Sequence, residues 1–205
     1  MDETNLKGPA LETGISLSPE QWSLVAAATV AVLLIAIFAW RRWSMSTQQR
    51  INRALDAIAH DRLDDIFLSD GMGGYIHIDS LLLTNRGLIV VDIKNVAGKL
   101  FGAEKMDEWV VMDGKRRHGF RNPLGALHDR VATVRSHARD VNVEGYVVFT
   151  DEGEFTKGIP AETVMLSHLV EFVGAKGDDF PQAFDETWRH LQEVAERDHT
   201  LPPHA

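Results

Sequence analysis

The sequence predicts an α/β fold: one mixed sheet flanked by helices, preceded by a single transmembrane helix. Three observations carry that prediction. No charged residue occurs from Gln21 to Trp40. Two apolar, strand-like runs, Ile76–Thr84 and Gly87–Lys94, meet at the turn Asn85-Arg86-Gly87. From Asn122 onward, helical periodicity alternates with short apolar strands.

The chain has 205 residues and a formal net charge of −9. Beyond the apolar segment about 160 residues remain, enough for one domain with a real core. Cysteine is absent, which excludes disulfides and cysteine-ligated zinc or iron–sulfur sites. The nine histidines show no HxxxH or HxxH spacing, so a histidine zinc site has no support.

Residues 1–20 are polar, with Gly8-Pro9 and Gly14, and read as a disordered tail. Residues 21–43 follow. A helix of about twenty residues spans roughly 30 Å, the thickness of a bilayer's hydrocarbon core. Trp22 at one end and Trp40 at the other are placed like interfacial anchors, and Arg41 and Arg42 follow directly. The acidic stretch ahead of the segment argues against a cleaved signal peptide. The positive-inside rule puts the N-terminus outside and the rest at the cytoplasmic face of the cell (inner) membrane.

Residues 44–49 read as a linker, and Ile51, Leu55 and Ile58 as one face of a helix reaching His60. Leu63 to Leu68 is a short apolar run. Gly71-Met72-Gly73-Gly74 leads into a strand and not a helix, so it reads as a turn and not a phosphate loop. The central hairpin follows. Asp113-Gly114 between extended runs predicts a second hairpin. Asn122-Pro123 opens a helix, with Asn at the cap and Pro at the first helical position. Leu124, Leu127, Val131 and Val134 mark its buried face. Gly145–Thr150 and Thr163–Leu166 read as strands, the second followed by a short helix to Val173. The C-terminal segment 176–198 reads as a last helix that starts at its cap Asp179, packs on the domain and carries Phe180, Phe184, Trp188 and Leu191 on one face. Residues 199–205 are a tail.

The central hairpin is unusual because Asp79, Asp92 and Lys94 lie among Ile, Leu and Val. Burying a charge there costs several kcal/mol, roughly, unless it is paired or binds a metal. If Asn85-Arg86 is a two-residue loop, Thr84 pairs with Gly87 and Asp79 falls opposite Asp92, on the face that also carries Lys94. A three-residue loop would turn Asp79 to the other face unless a bulge restored it. Two converging carboxylates with a nearby lysine are what metal-assisted phosphodiester cleavage requires. The acids offer oxygen ligands to Mg²⁺ (or Mn²⁺), the metal activates a water, and the lysine adds positive charge beside the reacting phosphate. The bland reading of D…DxK is a surface strand with a salt bridge, against which the apolar setting argues.

Ile78-Asp79, Gly87 through Asn95, Gly98, Gly102, Trp109 and Asn122-Pro123-Leu124 together resemble the NERD (nuclease-related) domain, a branch of the PD-(D/E)xK nuclease superfamily. Val147-Val148-Phe149-Thr150 is similar to its closing strand. The resemblance covers roughly residues 48–150 and implies a restriction-endonuclease-like domain over 50–175. It also implies Asp79 and Asp92 as metal ligands, Lys94 as the catalytic lysine, and DNA as substrate. The sequence departs from that pattern twice. Gly125-Ala126-Leu127 stand where such domains usually carry Gln, and Gln48-Gln49-Arg50 where they often carry Gly-Glu.

Residues 86–121 hold eight Lys/Arg against five acids, whereas 151–205 hold twelve acids against four Lys/Arg. Lys115, Arg116, Arg117 and Arg121 are therefore the expected phosphate contacts, with a solvated hairpin tip as the plain alternative. The expectation is a membrane-anchored, metal-dependent nuclease. The alternatives are a catalytically degenerate domain that binds nucleic acid or protein at the membrane, and a purely structural membrane protein.

Overall fold

The structure, a computed structural model, describes residues 19–138, 140–178 and 182–199, with backbone alone at 19–28, 41–45 and 196–199. The chain divides into two compact units, Met1–Ser46 and Thr47–Ala205. Helix α1 runs Pro19–Ile58, so residues 44–49, expected as a linker, are helical. Their sequence contains neither Gly nor Pro to break the helix.

In the first unit the large apolar side chains from Val30 to Trp40 are exposed, Trp40 to 67 %. Among the described residues no helix is long and apolar enough to cross a membrane. The described side chains cover only 29–40 of the expected span, and those of Trp22, Arg41 and Arg42 lie outside the described residues.

The second unit is a mixed α/β fold with two mixed sheets and flanking helices. The first sheet contains β1 (Asp61–Ser69), β2 (Tyr75–Thr84), β3 (Gly87–Lys94), β7 (Val143–Phe149) and β9 (Thr163–Met165), in the order β1-β2-β3-β7-β9. β1 to β3 are antiparallel neighbours, whereas β3-β7 and β7-β9 are parallel. The second sheet contains β4 (Gly98–Phe101), β5 (Glu108–Asp113), β6 (Arg116–Arg121) and β8 (Gly153–Phe155), in the order β6-β5-β4-β8.

Both faces of the central strands are covered, which explains their nearly continuous apolar sequence. Leu81, Leu83, Leu88, Val90, Val143 and Val147 face one core, shared with α2 (Leu124–His137) and α4 (Asp185–His199). Leu82, Ile89, Val91, Tyr146 and Val148 face the other, with Ile51, Leu55 and Ile58 of α1 and Leu169 of α3 (Leu169–Val173). Trp109 joins the two sheets: its ring stacks on Phe149 at 6.1 Å between centroids and meets Phe155 edge-on at 5.9 Å. Gly102 lies under that ring, where a Cβ would come within 2.4 Å of Trp109 Cδ2.

Both predicted hairpins form, the second with its loop one residue later than Asp113-Gly114. Thr84 pairs with Gly87 around Asn85-Arg86, and Asp113 pairs with Arg116 around Gly114-Lys115, with Gly114 at φ 58°. Asp70 organises the Gly71–Gly74 turn, its Oδ1 accepting from the backbone N–H of Met72 and Gly74 at 2.7 and 2.9 Å. Asn122 Oδ1 accepts from Leu124 N at 3.0 Å at the start of α2. On α4, Trp188 and Leu191 are buried and Trp188 Nε1 donates to Asp61 Oδ2 at 2.8 Å. The last helix starts later than expected: 176–178 are not helical, Gln182–Phe184 form a 3-10 turn, and α4 begins at Asp185; Asp179 and Phe180 lie outside the described residues.

Candidate active site

The hairpin register positions the two acids. The β2–β3 ladder runs from Thr84↔Gly87 to Ser80↔Val91, and one step further sets Asp79 opposite Asp92. Beyond that point the side chain of Asp79 replaces the ladder, with Oδ2 accepting from the backbone N–H of Ile93 at 3.2 Å. The neighbouring strand bends at the same place. Asp64 pairs with Ser80 and Ile66 with Ile78, and Asp65 between them adopts φ 55°. The apolar alternation changes phase across this kink. Leu81 and Leu83 face the same core as Ile78, which an unbroken strand does not permit. The register is the same on both sides, and Asp65 and Asp79 are the pair that the β1–β2 ladder skips.

Asp92 is the buried centre, its side chain 1 % exposed. Each of its oxygens has a cation: Lys94 Nζ lies 2.6 Å from Oδ1, and Arg130 Nη1 lies 3.2 Å from Oδ2. Burial pushes the Asp92 carboxyl above the usual carboxylate range. The Lys94 hydrogen bond opposes this, the nearby Asp79 carboxyl reinforces it, and the charges of Lys94 and Arg130 oppose it further. Two resident cations are what make a carboxylate tolerable at that depth.

His77 and Arg130 complete the cluster. Arg130 Nε donates to the His77 carbonyl oxygen at 2.8 Å, so α2 is fastened to β2 beside the acids. His77 Nδ1 lies 3.4 Å from Asp79 Oδ1, and its Nε2 lies 2.6 Å from Asp65 Oδ1. Neither residue belongs to the D…DxK pattern of the sequence. His77 had a readable signal, since it sits two residues before Asp79 on the same strand. Arg130 had only its place beside the Leu127–Val131 stripe, where a charged residue ordinarily reads as a solvated rim.

The donor set fits a hard divalent cation of the Mg²⁺ type, which takes one or two carboxylates and completes its shell with water. It does not fit a closed cage of protein ligands: among the described residues no group of three or more His, Cys, Asp or Glu is arranged to hold a metal.

The expected phosphate contacts belong to the second sheet. Lys115 is in the β5–β6 turn, and Arg116, Arg117 and Arg121 are on β6, all four exposed. Arg121 also lines a cavity of about 650 Å³ with Lys105, Asn122, His128 and Glu162, among others, and none of Asp79, Asp92 or Lys94 lines it. The fastening of α1 to the turn after β7 had no sequence signal. Arg50 pairs with Asp151, and Thr47 Oγ1 donates to Glu152 Oε1 at 3.3 Å.

The family model of the nuclease-related domain (NERD) matches residues 43–150, more than half of the chain. No curated protein and no solved structure matches it.

Proposed function

Because the chain belongs to the nuclease-related domain family, we propose that its central hairpin is a divalent-metal-dependent centre hydrolysing phosphodiester bonds of DNA, in a restriction-endonuclease-like domain. The observation that carries this reading is the meeting of Asp79, Asp92 and Lys94 at the point where the β2–β3 ladder ends. Asp79 and Asp92 are the ligands for Mg²⁺ or Mn²⁺, which when bound supplies an activated water and offsets charge on the phosphate. Lys94 is one-third exposed whereas Asp92 is buried, so Lys94 is the cation of the triad that reaches both the buried acid and a phosphodiester outside. Its ammonium holds positive charge where the phosphate gains negative charge. His77 orients Asp79.

Residues 21–43 are the membrane anchor in this reading, with the second unit at the cytoplasmic face. The support is the run of exposed Val, Leu, Ile, Phe and Trp from Val30 to Trp40, which lipid would cover. The full-length chain then sediments with membranes, and deletion of 21–43 releases it. Release of the intact chain by high salt alone contradicts the anchor.

The test of the catalytic claim is nicking of supercoiled plasmid by the full-length protein in detergent. With Mg²⁺ or Mn²⁺ the protein nicks, and Asp92→Asn and Lys94→Met each lower the rate by at least about 10²-fold. Equal rates in all three proteins contradict it. A second reading, a domain that binds nucleic acid without cutting, is favoured by the full occupation of Asp92 by Lys94 and Arg130. It predicts DNA binding that survives Asp79→Ala, with no cleavage in any metal.

A further inference from the structure

Resting on the metal-centre reading above, we infer that Arg130 is a built-in counter-ion that competes with the divalent cation for Asp92, and so sets how tightly this chain binds metal. The starting point is the charge around the buried acid. Asp79 and Asp92 together supply two negative charges, and Lys94 alone would leave one of them for an incoming cation. Arg130 removes that remainder. Its Nη1 lies 3.2 Å from Asp92 Oδ2, and the other oxygen is held by Lys94 at 2.6 Å. A cation that takes either oxygen therefore does so against two resident positive charges.

The two cations are not equivalent. Lys94 is on the same strand as Asp92, at the end of a flexible stem, and is one-third exposed. It can swing toward solvent and still lie beside the acids. Arg130 comes from α2, is 17 % exposed, and is fastened by Nε to the His77 carbonyl oxygen at 2.8 Å. A planar guanidinium held by two of its nitrogens is fixed in place. Its competition for Asp92 therefore persists as long as that placement holds. It ends only when the guanidinium moves or when a phosphate brings in fresh negative charge. Arg130 is a positioning residue in this account, because it acts through Asp92.

The experiment is calorimetric titration of the full-length protein with Mn²⁺ alone, at fixed pH and ionic strength and without DNA. Arg130→Gln, which keeps a hydrogen-bonding side chain and removes the charge, binds Mn²⁺ roughly tenfold or more tighter than the parent. Arg130→Lys, which keeps the charge, stays near the parent value. Asp92→Asn does not bind. If Arg130→Gln is unfolded without metal, Mn²⁺ refolds it, as followed by circular dichroism. Failure to refold overturns the inference. So does an affinity in Arg130→Gln equal to or weaker than the parent's, and if Asp92→Asn still abolishes binding there, the metal centre itself stands. Absence of Mn²⁺ binding in both the parent and Arg130→Gln overturns the counter-ion role and the metal centre together.

Discussion

Asp92 and Glu144 are both half of an acid–cation arrangement, but their surroundings set them apart. Asp92 is sealed inside and held by Lys94 and Arg130. Glu144 is nearer the surface, pairs with Arg86 at 2.9 Å, and accepts from the Tyr146 hydroxyl at 2.8 Å. Burial acts to raise the Glu144 carboxyl, but the hydrogen bonds from Tyr146 and Asn142 and the Arg86 guanidinium outweigh it and leave it below its usual range. Tyr146 is pushed up to about 12 by burial and then by Glu144. A raised tyrosine pKa means that the neutral phenol favours the fold. Its contribution is complete below the ordinary value of 10.0 and is lost as pH rises to about 12. Denaturant melts between those limits should therefore show a smaller alkaline loss for Tyr146→Phe than for the parent, and identical slopes contradict the pairing. At this scale the sequence was informative about the acids, because charge inside apolar strands stands out. It was silent on Arg130, whose partners belong to β2 and β3 and come near only through tertiary packing. Asp65 was equally silent: an aspartate tolerates the left-handed region, but nothing local required φ 55° there.

Two hairpins hold the proposed catalytic and phosphate-contact residues, and their turns explain why their registers were readable. Thr84 Oγ1 donates to the Gly87 carbonyl oxygen at 2.9 Å, and Gly87 takes φ 118°, so the Asn85-Arg86 loop closes with one register only. That register fixes Asp79 relative to Asp92. The β5–β6 hairpin closes at Gly114-Lys115 and exposes Lys115, Arg116 and Arg117 near its tip. As an element it suits contact with phosphates. Changing those three residues to Gln should lower the slope of log affinity for DNA against log salt by roughly 2.7, the counterions released by three contacts. An unchanged slope assigns the hairpin tip to solvent. The second sheet was not legible as a sheet. β8 has three residues, and its parallel pairing with β4 joins Gly98 to Gly153, a long-range contact without a local pattern.

For the whole molecule, the mixed α/β architecture followed from apolar periodicity, and its two cores account for strands that are apolar on both faces. The end of the chain also has a structural task. Trp188, Leu191, Val194 and Ala195 of α4 join the core that contains Leu63 and Ile66 of β1, so the edge strand next to the kink is covered. The second unit thus holds buried, paired strands around a place where regular pairing stops, and the acids converge there. That place is a divalent-metal centre in the present account. The most direct test is the structure of the full-length protein crystallised and soaked with Mn²⁺. The predicted result is an anomalous peak about 2.0–2.2 Å from a carboxylate oxygen of both Asp79 and Asp92, with the Arg130 guanidinium drawn away from Asp92. A saturating soak that leaves Lys94 and Arg130 on Asp92, with no peak between the two acids, would contradict it.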